Sequence, residues 1–62
     1  MDIYVVLVCM QKDIRRETWS VHHIGLDQIK AVKSAQEMSA RPETVARIEV
    51  WNDGNRTGHL DF

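Results

Sequence analysis

The sequence predicts an α+β domain of order ββαββ, an antiparallel four-stranded sheet (strand order 2-1-3-4) with one helix packed on one face. Three observations predict it. The run Ile3–Met10 is β-branched and nearly all apolar, and it does not alternate, so it needs cover on both faces and belongs in mid-sheet. Leu26–Ala40 is the one stretch with a helical hydrophobic period. Asn52-Asp53-Gly54-Asn55 is a strong hairpin signal, because Asp-Gly tolerates positive φ.

The elements follow in order. A polar turn, Gln11-Lys12-Asp13, leads from the first strand into Ile14–His23, which pairs antiparallel with it as a hairpin. Alternation places Arg16, Thr18, Ser20 and His22 on one face of this second strand and Glu17, Trp19, Val21 and His23 on the other. Trp19 and Val21 are expected to face the helix. Gly25 is the expected helix N-cap, with Ile24 and Ile29 forming a hydrophobic staple and Asp27 complementing the helix dipole.

Ile29, Ala31, Val32, Ala35 and Met38 make the apolar side of the helix, and Asp27, Lys30, Lys33, Ser34 and Glu37 the polar side. Pro42 stops the helix and pushes Arg41 out of helical geometry. Thr44–Trp51 is the third strand, with Ala46, Ile48 and Val50 inward and Val45, Arg47, Glu49 and Trp51 outward. Arg56–Phe62 is a short fourth strand, with Leu60 and Phe62 on one side and His59 and Asp61 on the other. A right-handed crossover from strand 2 sets strand 3 on the far side of strand 1.

Composition narrows the function. A chain of 62 residues is read as a single domain, 1–62, and one this short buries only about 60% of its unfolded surface. Cys9 is the lone cysteine, which suits a reducing cytoplasm and a core position where the thiol is inert. His22 and His23 are adjacent, point to opposite faces of a strand and cannot share a metal. His23 is expected at the rim of the core and His22 in solvent. The sequence shows neither a paired-carboxylate spacing nor a Gly-rich phosphate loop, so no enzyme activity, metal or cofactor is expected. A net charge of −1 and a pI near 6.2 argue against a basic nucleic-acid module and against a strongly acidic DNA mimic. The apolar run Ile3–Met10 is far short of the ~20 residues of a membrane span and has no basic flank, so no membrane partner is expected and the cytoplasm is the expected location.

One helix can roof only one face of the sheet. Tyr4, Val6, Val8 and Met10, or their alternates, then remain on the open face with Trp51. Such a patch implies a partner, often a second copy of the chain as a homodimer, unless long side chains such as Arg16 and Arg47 lie across it. The candidate contact residues are Tyr4, Arg47 and Trp51 with the hairpin residues Lys12, Arg15 and Arg16. Asp13 and Glu17 are interleaved with that basic cluster, so it reads as a solvated hairpin or as a contact for an acidic protein or a phosphate backbone. Aromatics among arginines also describe sheets that hold single-stranded RNA. The RNP1 pattern and a basic balance are missing, and nucleic acid is the less favoured partner.

The succession of elements resembles small inhibitor proteins encoded by phages and mobile elements. The helix opens Gly-Leu-Asp-Gln-Ile-Lys-Ala, and the third strand closes Glu-Val-Trp-Asn-Asp-Gly. This is similar to several compact anti-CRISPR proteins and to the small phage inhibitor of bacterial RNA polymerase. The resemblance is one of architecture over most of the chain and transfers no site residue by residue. It implies a non-enzymatic protein in the host cytoplasm that blocks a bacterial nucleoprotein complex by surface contact. The near-neutral charge departs from the strongly acidic inhibitors of this kind.

Overall fold

The computed structural model describes residues 1–10 and 19–62. They form β1 (Ile3–Met10), β2 (Ser20–Gly25), α1 (Gln28–Ser39), β3 (Thr44–Asn52) and β4 (Asn55–Asp61). The strands make an antiparallel sheet in the order β2-β1-β3-β4, as expected, and α1 packs on one face of it. The part of the expected second strand from Ile14 to Thr18 lies outside the described residues.

β1 takes the centre because its apolar run can be covered on both sides. It pairs with β3 along its whole length, from Ile3 opposite Trp51 to Met10 opposite Thr44. Residues directly opposite in a ladder share a face, so this register sorts the side chains. Ala46 and Ile48 lie under α1, and their partners Val8 and Val6 lie there with them. Tyr4 follows two residues on and is half-buried on the helix side. Ile3, Val5, Leu7 and Cys9 therefore take the open face. It is this alternate set, not Tyr4, that shares the open face with Trp51.

The core is narrow. Val6 and Ile48 are fully buried beneath Ala31 and Ala35, with Val32 and Met38 packed at the flanks. Alanine has no side-chain length to hold the helix off the sheet, so α1 seats low over β1 and β3. β4 lies at the margin of that roof, and Leu60, opposite Ile48, stays 50% exposed.

The helix start differs from expectation. Asp27, not Gly25, is the N-cap: its Oδ1 accepts from the Ile29 N–H at 2.9 Å and the Lys30 N–H at 3.2 Å. Glycine has no side-chain oxygen to satisfy those free donors. With the cap at 27, Ile24 and Ile29 no longer hold the N′ and N4 positions, and the staple does not form; they are 61% and 73% exposed. Ile29 leaves the apolar stripe because steps of three residues drift, and from 29 to 38 the ladder turns through about 180°. Gly25 instead provides room, since a Cβ there would stand 3.2 Å from Nε2 of His23. His23 is half-buried at the core rim and His22 is exposed, both as expected. After Ala40, which caps the helix C-terminus, the chain turns into β3 through Glu43, held at φ 56°.

Trp19 and Val21 do not face the helix. Val6 pairs with His23 but Leu7 pairs with Val21, which leaves His22 as an extra residue in a β-bulge. A slip of one residue exchanges the faces of a strand, so His23 stays under α1 while Val21 goes to the open side. The Trp19 ring lies there too, against Arg47. A second bulge at Thr57 sits in β4, where Val50 pairs with Gly58 and Trp51 with Arg56. The β3–β4 turn has Asp53 at φ 51° and Gly54 at φ 80°, the double positive φ of a type I′ hairpin.

Urea denaturation checks this packing. Ile48→Ala should lower the unfolding free energy by about 3 kcal/mol and Asp27→Ala by about 1 kcal/mol, whereas Ile29→Lys should change it by less than about 0.5 kcal/mol.

Candidate protein-docking face

The open face divides lengthwise into an apolar half and a charged half. β2 and β1 supply the apolar half. Val21 lies beside Leu7 and Ile24 beside Val5, with Ile3 beyond. Val21 is 57% exposed, Ile24 and Ile3 are exposed too, and Val5 and Leu7 are half-buried. Burial grades along β1, from a buried Cys9 at one end to an exposed Ile3 at the other.

β3 and β4 supply the charged half. Arg47 lies opposite Asp61, Glu49 opposite His59, and Trp51 opposite Arg56. Arg47 Nε donates to Asp61 Oδ1 at 2.7 Å, and its guanidinium carbon stands 4.9 Å from the centroid of the Trp19 ring. The arginine thus bridges the two halves, held by an ion pair on one side and a cation–π contact on the other. Glu49 is doubly engaged: it accepts from Arg56 Nη1 at 3.1 Å and from Trp51 Nε1 at 3.2 Å. His59 Nε2 stands 3.9 Å from Asp61 Oδ2, too far for a hydrogen bond but within reach of its charge. Among the described residues, the two arginines of this face, Arg47 and Arg56, stand against two carboxylates, Asp61 and Glu49.

The hydrogen bond from Arg47 holds the Asp61 carboxyl below the usual aspartate range; slight desolvation opposes this, and the charges of Arg47 and His59 reinforce it.

Arg47 and Trp51 share this face as expected, and Tyr4 lies on the opposite side. Lys12, Arg15 and Arg16 lie outside the described residues. Sequence reasoning missed Val21 and Ile24 as members of the face, yet a signal for them exists. Trp19, Val21 and Ile24 are spaced by two and then three, the pattern of three apolar residues kept on one face across a bulge. Arg56, His59 and Asp61 show the mirror spacing, three and then two.

Elsewhere, a cleft of about 250 Å³ opens near the C-terminal end of α1, lined by Val8, Met10, Met38, Arg41 and Thr44 among others. It sets one guanidinium among thioethers. Among the described residues, no three His, Cys, Asp or Glu side chains converge as metal ligands, and no helix is long and apolar enough to cross a membrane.

The fold and this face define a small α+β sheet domain whose helix, among the described residues, covers one side of the sheet. No protein family, curated protein or solved structure matches the chain.

An NMR titration of the Asp61 carboxyl should give a midpoint below the ordinary aspartate range, and Arg47→Gln should return it toward that range. The depressed value makes the pair's contribution to stability complete above the ordinary aspartate range. It is lost as pH falls through the lowered value, so the acid arm of a stability–pH curve should flatten in Arg47→Gln.

Proposed function

We propose that the chain is a non-catalytic protein-binding module that acts by surface contact through the open sheet face. This is the mode the architectural resemblance implies for small phage-type inhibitors of bacterial nucleoprotein complexes. The observation that carries the reading is the apolar half, where Val21 and Ile24 stand more than half exposed beside Leu7 and Val5.

Magnitudes define the kind of partner. Covering Val21, Ile24 and Ile3 would remove roughly 250 Å² of apolar surface, about 6 kcal/mol gross. A micromolar complex needs about 8 kcal/mol net of the ordering costs of association. Apolar contact alone falls short, so a fitting partner must also meet the charged half. A phosphate backbone meets it poorly, because Arg47 and Arg56 are already paired with Asp61 and Glu49. A protein surface with both apolar and mixed-charge areas meets it well.

Photocrosslinking in bacterial cells tests this. A photoreactive residue at position 24 should yield nuclease-resistant protein adducts, and one at exposed position 33 on α1 should not. Adducts dominated by nucleic acid, or equal yields from the two positions, would overturn the reading.

A further inference from the structure

We infer that the open face is built to take a second copy of the same chain, docked face to face about a two-fold axis that crosses the strands at the level of Val6 and Ile48. The inference deepens the protein-binding reading and rests on it.

The sheet register supplies the argument. On the open side, one row across the sheet reads Val21, Leu7, Arg47, Asp61. The next open-side row reads Ile24, Val5, Glu49, His59. A two-fold axis in the plane of the interface, running between these rows, lays each row over the other row of the second copy. Val21 then covers the partner's Ile24, and Leu7 covers the partner's Val5. Arg47 covers the partner's Glu49, and Asp61 covers the partner's His59. Every column is complementary: two apolar on apolar, one cation on an anion, and one carboxylate on an imidazole that can donate to it.

Neighbouring arrangements fail. An axis through the first row sets Arg47 on Arg47, and an axis through the second sets Glu49 on Glu49. An axis along the strands at the sheet's midline lays the apolar β2 column over the charged β4 column. The pattern therefore selects one isologous operator and disfavours its closest rivals.

Four further points agree. Facing sheets pack about 10 Å apart with strands within about 30° of alignment, a gap that an arginine and a glutamate reaching toward each other can close. The arginines carry their own carboxylates into the contact, and neutralised pairs cost less to desolvate than bare charges. Both edge strands carry a bulge, at His22 and at Thr57, and bulged edges pair badly with another strand, so the face is the better surface for self-association. A face about 19 Å by 26 Å hides on the order of 1,000 Å² in total. That is near the lower bound for a specific interface, which fits a reversible dimer rather than an obligate one.

Sedimentation analysis from about 10 µM to 1 mM tests the inference. Wild type should show a reversible monomer–dimer equilibrium. Arg47→Glu and Glu49→Arg should each weaken it at least tenfold. An equimolar mixture of the two variants should restore it, because position 47 of each chain again meets the opposite charge at position 49 of the other. Rescue in the mixture would also show that both variants fold. A wild type that stays monomeric throughout, a dimer that neither variant weakens, or natively folded variants that do not rescue one another would overturn the inference. If wild type is monomeric while position 24 crosslinks to a different protein, the second copy is excluded and the binding face stands. If position 24 yields no protein adduct, the binding face fails too.

Discussion

A strand that is apolar on both sides must be covered twice, and the described residues hold one helix with which to do it. β1 is that strand. On one side, Ala31 and Ala35 seal Val6 and Ile48. On the other side, Cys9 is buried while Val5 and Leu7 are only half covered and Ile3 is exposed. Small domains gain little from burial to begin with, so apolar surface left uncovered is a considerable loss. The placement of Trp19, Val21 and Ile24 beside β1 lessens that loss, because β2 then gives the half-covered residues apolar neighbours rather than polar ones.

The charged half obeys the same constraint from the other direction. Arg47, Glu49 and Trp51 occupy the outward positions of β3, where the sheet still has neighbours on both sides and charge is costly to leave unpaired. Each finds its partner across the ladder or along the strand: Arg47 with Asp61, and Glu49 with both Arg56 and Trp51. The tight Asp53-Gly54 turn brings these partners together, since it fixes the register of β4 against β3. The edge strand thereby neutralises the inner one. Among the described residues, the result is a surface whose charges are met locally, each arginine by a carboxylate of the same face.

Much of this is legible in the residues. Ala46, Ile48 and Val50 alternate without interruption, so the faces of β3 could be assigned directly. β1 does not alternate, and only its pairing with β3 decides that Tyr4 goes under the helix. The mistaken side for Trp19 and Val21 came from counting evenly through His22, where the ladder does not. Ile29 shows the same weakness in the helix, where a three-residue ladder imitates a stripe over one turn and leaves it over three. At the cap, both Gly25 and Asp27 are acceptable residues, and the choice falls to the one whose oxygen reaches two free N–H groups. The pairing of Arg47 with Asp61 is long-range in the sequence. It depends on the turn and a bulge acting together, and no local pattern reveals it.

The bulge at His22 has one more effect. Because that residue is outside the ladder's pairing and exposed, it answers neither to the layer beneath α1 nor to the bare side. Its exposed side chain is thus free of the pairing that fixes its neighbours. The same freedom makes position 22 a natural attachment point for a fluorescent or spin label, one that would ride on the sheet without intruding on either layer.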